Sequence, residues 1–265
     1  MTPTSDTGAA ELLANLSVGT VVMIALVLTL LRLVLMNFKT TARPGVEETM
    51  PWARSIAEIL ESLIIAGVLV FLIIRPFFVQ AFYIPSESME PTLLGHDART
   101  VNKDGKDIHE DAVHDHIFVN KLAFRMGDPQ RLDIIVFKAP PEADQDGPSH
   151  GQPPKENILI KRLIGMPGDT IEVKQSADGT KSQVYINGKP LDEPYIKDPM
   201  DKDQPSTARF AVNGPLTLKP GQYFVMGDNR NNSNDSRFWG TLERQRVIGK
   251  ASFIFFPFDR IRVLH

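Results

Sequence analysis

No cysteine occurs among the 265 residues. Disulfides and thiolate metal sites are thereby excluded, a domain outside the cell would be held by core packing alone, and the nucleophile of any activity is not a thiol. Positive charge is in short supply as well: 29 Lys and Arg face 32 Asp and Glu, a formal charge of −3. A nucleic-acid grip needs an excess of cations on one face to neutralise phosphates, so that partner class is set aside. From Leu12 to Leu31 charge is missing altogether. Such a stretch is long enough to cross about 30 Å of hydrocarbon as one helix, with Arg32 near its end able to snorkel. The first sixteen residues carry no Lys or Arg. A cleaved secretory signal would open with a positive segment, so the span reads as a permanent anchor.

A second apolar run, Ser62 to Ile74, is too short to span alone, but it continues past Arg75 through Pro76, Phe77, Phe78, Val79, Gln80 and Ala81 to Phe82. It spans if Arg75 snorkels to the interface; the alternative is a buried or interfacial helix. The expected anchor is residues 1–82, with a helix over about 14–36, a linker over about 37–57 and a helix over about 58–82. Lys39, Arg43 and Arg54 lie between the runs, whereas residues 1–31 and 76–98 contain no Lys or Arg. Positive charges stay on the cytoplasmic side, so the linker is expected there, with the N-terminus and residues 83–265 on the outer face.

The exported part reads as mainly β. Leu132 to Phe137, Ile158 to Ile160, Thr170 to Val173, Gln222 to Met226, Val247 to Phe256 and Ile261 to Leu264 are runs rich in β-branched and aromatic residues, separated by Gly and Pro. Val184-Tyr185-Ile186 followed by Asn187-Gly188 is a hairpin signal, because a type I′ turn needs positive φ at both central positions. Asp97 to Asp115, Ala139 to Lys155 and Asp192 to Thr207 are polar stretches that look like loops or insertions. No internal repeat is present.

Four segments carry candidate chemistry. Ile84-Pro85-Ser86-Glu87-Ser88-Met89-Glu90-Pro91 brackets two serines between prolines, which favours a rigid, non-helical loop presenting hydroxyls; a simple turn has the same composition. In Ile158 to Asp169, Lys161 sits within an apolar strand. Burial disfavours a charged amine, so Lys161 either snorkels or loses its proton, and a neutral amine can take a proton from a serine. The plainer alternative is a surface pair, Lys161 and Arg162, at a strand end. Met226 to Gly240 is dense in small polar residues with Asp and Arg two positions apart in both halves, as in a hydrogen-bonded bracing loop or a solvated turn. His109, Asp111, His114 and His116 invite a metal reading, but no third ligand follows at a typical metal-site spacing.

Taken in order, IPSESMEPTL, HIFVNKLAF, RLDIIVFK, ILIKRLIGMPGD and MGDNRNNSNDSRFWG resemble the successive blocks of bacterial type I signal peptidases. The resemblance covers the second apolar run and nearly all the chain after it. It implies a β-rich catalytic domain behind a two-helix anchor, and a serine endopeptidase with a Ser/Lys dyad. Carried over, Ser88 is the nucleophile and Lys161 the general base. Ser86, with the Ser88 N–H, is the oxyanion hole, Ser233 is a serine that hydrogen-bonds the lysine, and Asp235 and Arg237 are a supporting pair. Glu87 replaces a common glycine and Asn231 a frequent aspartate. The implied partners are preprotein signal peptides with A-x-A cut sites, membrane lipid and a nearby secretion translocon; no cofactor or metal is expected. The implied location is the bacterial cytoplasmic membrane, multi-pass. Phe77, Phe78, Phe82, Tyr83 and Phe253 to Phe258 are read either as an apolar surface meeting the membrane interface or, for the late run, as core. A dedicated maturation protease or an inactive membrane-tethered binding protein are the rival readings, the second disfavoured by intact Ser86, Ser88, Lys161 and Ser233.

Overall fold

The computed structural model describes residues 18–37, 39–43, 46–74, 78–103, 106–143, 157–203 and 208–264, and the contacts divide the chain after Gln80. In the first unit, α1 (Val18–Met36) is followed by a hairpin of β1 (Lys39–Arg43) and β2 (Val46–Thr49). Then α2 (Pro51–Val68) begins on a proline, whose missing N–H is no loss in a first turn, and it passes into a π-helical segment, Leu69–Ile74. Ala53 and Ala57 are sealed in a cluster with Leu35, small residues that let the two helix backbones approach. Arg32 does not snorkel alone: its Nη2 lies 2.8 Å from Oε2 of Glu61 on α2. By length and composition, Gly19–Met36 and Pro51–Ile74 are each apolar enough to cross a membrane.

These bounds correct the expected ones. The second helix starts at Pro51 rather than near 58, and Val79–Tyr83, where the expected helix was to end, is a strand. Arg75, Phe77 and the expected start of the first helix lie outside the described residues.

β3 (Val79–Tyr83), within which the division falls, leads to a single 3₁₀ turn at Glu87–Met89 in the second unit. Next come β4 (Gly95–His96), a hairpin of β5 (Arg99–Lys103) and β6 (Lys106–Glu110), and β7 (Val113–His114), which pairs back on β4. A hairpin thus occupies much of the stretch expected to be a loop or an insertion on the β scaffold. The chain continues through β8 (His116–Asn120), the short α3 (Ala123–Met126), β9 (Ile134–Lys138), β10 (Ile158–Gly165) and β11 (Thr170–Gln175). There follow β12 (Ser182–Ile186), β13 (Lys189–Pro190), β14 (Leu216–Thr217), β15 (Gln222–Met226), the short α4 (Ser236–Trp239), β16 (Leu242–Glu243), β17 (Val247–Phe256) and β18 (Arg262–Val263).

The main sheet runs β16-β15-β10-β9-β17-β8-β3, with β18 also on β17, and a smaller sheet runs β13-β12-β11-β14. Asn187 and Gly188 turn β12 into β13 with φ of 52° and 79°, as the expected tight turn requires. β10 is central to the packing: Ile160, Leu163 and Ile164 each enter a different buried cluster. Met89 and Leu93, both fully buried, pin the segment after the serines into the first of these clusters. In β17, Ile254 is sealed while Phe253 and Phe255 remain half-buried beside the ring of Phe118. The late aromatic run is therefore core on one face and surface on the other.

Candidate functional site

The sheet register puts Lys161 opposite Ile135 of β9 and Arg162 opposite Met226 of β15. Strand alternation sends these two neighbours to opposite faces, where each meets a different part of the serine loop. Lys161 is 3% exposed, and its Nζ lies 2.8 Å from Ser88 Oγ and 2.9 Å from the Ile160 carbonyl. Burial lowers the Lys161 pKa from 10.5 to about 8, against the opposing pull of the Asp235 and Asp228 carboxylates. Ser86 Oγ is 3.2 Å from Ser88 Oγ. Two serines and an amine that are 73 positions apart in sequence are thus joined in one hydrogen-bonded chain.

Arg162 does not form a surface pair with Lys161. It is buried, donating from Nε to Asp228 Oδ1 at 2.8 Å and from Nη2 to Oδ2 at 2.6 Å, with a further bond from Nη1 to the Leu132 carbonyl. Asp228 Oδ2 also receives the Thr92 hydroxyl at 2.6 Å. A bidentate pair with its remaining lone pairs used is the form in which buried charge is tolerated. It fastens β10, the segment after Ser88 and the loop after β15 to one another.

That loop also touches the serine turn directly. The Asn229 N–H donates to the Ser88 carbonyl at 3.1 Å, and its side-chain amide donates to the Glu87 carbonyl at 3.2 Å. Asp235 and Arg237 form a sealed bidentate pair, with Nε to Oδ1 and Nη2 to Oδ2 each at 2.9 Å. Asp235 also caps α4 and receives the Gly227 N–H at 3.1 Å. Burial would raise the Asp235 pKa, but Arg237 and the bound N–H hold it below the ordinary carboxylate value.

Ser233 departs from its expected contact. Its hydroxyl is buried and makes no hydrogen bond to Lys161; it lies beside the Asp235 carboxylate, whose pKa it helps to lower. The amine of Lys161 is occupied by Ser88 and Ile160 instead. Glu87 is turned away from the amine: Arg99 Nη1 pairs with its Oε1, and Asn232 Nδ2 donates to Oε2 at 3.1 Å. Asn231, at its unusual position, binds the 199–201 segment through Asp201 N and Pro199 O. His114 Nδ1 bonds the Ile84 carbonyl at 3.0 Å, His116 packs among Tyr83, Phe255 and Phe256, and His109 is exposed. Among the described residues no three His, Asp or Glu side chains converge on a metal position.

Beside Ser88 and Lys161 opens a cleft of about 560 Å³, whose lining includes the apolar Pro85, Leu159 and Ala143 and the polar His96, Arg99 and Asn232. Reasoning from the sequence did not single out Arg162, Asp228, Asn229, Arg99 or His96 as site builders. Only the nearness of Arg162 and Asp228 to the quoted motifs was available as a signal.

A serine hydroxyl lies 2.8 Å from a buried amine of lowered pKa on a mainly β domain, an arrangement able to serve hydrolysis without a histidine. The chain matches the family model described as signal peptidase, peptidase S26, over residues 56–256. A probable signal peptidase I-2 of Synechocystis is 35% identical over 205 residues, covering 77% of this chain and 76% of its own. A signal peptidase I of Leptolyngbya laminosa is 38% identical over 188 residues, covering 71% and 74%. A crystallographically solved signal peptidase I from Enterococcus faecalis is 31% identical and covers 48% of this chain and 98% of its own, at a TM-score of 0.34 that is too low to bear on the fold. The chain belongs to the signal peptidase family, peptidase S26. It is a serine endopeptidase acting on the signal peptides of preproteins.

Proposed function

We propose that Ser88 is the nucleophile and Lys161 the general base in the cleavage of N-terminal signal peptides. The observation that carries this reading is the 2.8 Å contact between Ser88 Oγ and an amine whose burial brings its pKa down to about 8. Near neutral pH a fraction of such amines has a free lone pair, to which the Ser88 hydroxyl donates as its oxygen attacks the scissile carbonyl. The oxyanion that forms is to be met by the Ser88 N–H and the Ser86 hydroxyl. The protonated Lys161 then gives its proton to the leaving amine, and the acyl ester on Ser88 is opened by a water that Lys161 deprotonates in turn. Asp235 and Arg237 support the loop behind the amine, and Ser233 belongs to the same support through its place beside Gly227.

The finer substrate reading is an A-x-A site. A cleft bordered by Pro85, Ala143 and Leu159 suits small side chains before the cut, since each added methylene would have to be fitted against them. The two apolar helices are read as anchors in the bacterial cytoplasmic membrane, with the hairpin between them cytoplasmic and the domain after them, residues 83–265, on the outer face. Tyr83, Phe118 and Phe258, at 46%, 38% and 78% exposure, are the surface that would meet lipid, near the translocon from which preproteins emerge. The test is to incubate the detergent-solubilised chain with several unrelated A-x-A precursors and locate each cut by mass spectrometry. Cuts after the A-x-A site that vanish in Ser88→Ala support a general signal peptidase; cleavage of one precursor alone would mean a dedicated maturation protease.

A further inference from the structure

The segment between the serine turn and β8 builds one wall of the cleft, and it is fitted closely to the serines. A β-carbon on Gly95 would stand 2.6 Å from the Ser86 carbonyl oxygen and 2.7 Å from Ser86 N, so only glycine admits this approach. The next side chain, His96, is 7% exposed, borders the cleft, and has Nδ1 2.5 Å from Oε1 of Glu90. Glu90 is sealed and also receives Lys197 Nζ at 2.6 Å and Arg99 Nη2 at 3.2 Å. Burial works to raise its pKa, but the bonds from Lys197, His96 and Arg99 outweigh that and hold it below the ordinary carboxylate value. An ionised carboxylate can only accept, so Nδ1 of His96 carries the proton and donates it. In the neutral ring Nε2 then offers a lone pair. Nε2 has no partner among the described residues, and it is not among the buried polar atoms cut off from solvent. His96 itself is part of the cleft lining, and an unpartnered, solvent-reachable Nε2 on such a residue is available to a bound ligand.

A peptide bound in extended form brings main-chain N–H groups into such a cleft, and each one that loses water needs an acceptor. The small apolar side chains expected before the cut supply no donor of their own, so the main chain is the group for a fixed acceptor to read. We propose that His96, oriented by Glu90, is a substrate-binding residue whose Nε2 accepts a hydrogen bond from a main-chain N–H of the bound signal peptide. This rests on the signal-peptide reading of the cleft. Arg99, tied to Glu87, Glu90 and Glu110, is the positioning residue that holds this wall against the serine turn.

The test uses the full chain in detergent and an A-x-A peptide, together with a set of the same peptide N-methylated at one residue at a time around the cut. The key variant is His96→Asn, whose amide keeps a donor for Glu90 but does not reach the Nε2 position. KM is expected to rise roughly tenfold in His96→Asn with kcat within about twofold, the loss of one hydrogen bond made to bound substrate. One N-methyl peptide should cost the wild type a similar factor and cost His96→Asn nothing more. An unchanged KM in His96→Asn, or N-methyl penalties that all persist in it, would overturn the proposal while leaving the peptidase reading intact. If His96→Asn lacks a cooperative melting transition, the same comparison is read from His96→Ala. A wild type that cuts none of the peptides brings down the peptidase reading, and this proposal with it.

Discussion

A β-carbon at position 227 would stand 2.3 Å from the carbonyl oxygen of Ser88 and equally close to Ser233 Oγ. Gly227 is therefore the gap through which the loop after β15 reaches the serine turn. Gly227→Ala must push Ser88 out of line with Lys161, and a displacement of about 1 Å costs on the order of a hundredfold in rate. Steady-state cleavage of a precursor is expected to show that loss in kcat, with KM little changed.

The Arg162–Asp228 pair is the strongest candidate for a stability hot spot, since both side chains are almost fully sealed, at 4% and 0% exposure. Asp228→Ala removes the carboxylate that pairs this buried guanidinium, leaving neutral groups such as the Leu132 carbonyl, the Thr92 hydroxyl and the Tyr195 ring beside it. A loss of about 3–5 kcal/mol is expected from denaturant titration. Glu172→Ala, which breaks the exposed contact to Lys174, should cost less than about 1 kcal/mol in the same experiment.

Much of this fold was legible beforehand. Gln222–Met226 and Val247–Phe256 were readable to their end residues because β-branched and aromatic runs there are cut off by Gly, Pro or a change to polar sequence. The pairing of Ser88 with Lys161 was reachable only through the order of several motifs, since neither segment alone implies a partner 73 residues away. What was missed has physical causes. Val79–Phe82 was assigned to the end of a helix because a short, mostly apolar run carries no period of its own. The stretch holding the β5–β6 hairpin was read only as a loop or insertion because its strands are polar, although Asp104-Gly105 between Val101 and Ile108 is a turn signal in the sequence. Long-range charge pairs such as Arg162 with Asp228, and Glu90 with His96, leave no trace in local pattern because burial decides them.

Lys161 also links stability to pH. The folded chain releases its proton near pH 8 and the unfolded chain only near 10.5. Between those values the unfolded state binds more protons, so this residue makes stability rise with pH; below 8 the burial penalty is felt in full. Lys161→Met is expected to melt above the wild type at pH 7, by a pKa-linked part on the order of 3 kcal/mol. The gap should close as pH approaches 10.5, and a gap that widens would contradict the assignment.

Glu87 stands between the two serines, yet its charge is directed to Arg99 and Asn232. Glu87→Gln should leave the pH midpoint of the cleavage rate in place. A midpoint moved to lower pH would mean that the carboxylate supports the charged form of Lys161 after all.

With no native cysteine, a single Phe258→Cys carries one environment-sensitive label in the full chain. Phe258 is 78% exposed, and its label is expected to be quenched by spin-labelled lipid in nanodiscs, whereas a label at Lys189, on β13 of the smaller sheet, is not. Equal quenching at both sites would remove the aromatic surface from the membrane interface.

The measurement that goes most directly to the central claim is the pH dependence of kcat/KM for precursor cleavage, with Lys161→Ala measured alongside. A rate that rises through a midpoint near 8 and vanishes in Lys161→Ala is the outcome expected from a buried amine serving Ser88. Activity surviving in Lys161→Ala, or a rate that keeps climbing to about 10.4 as for a solvated lysine, would contradict it.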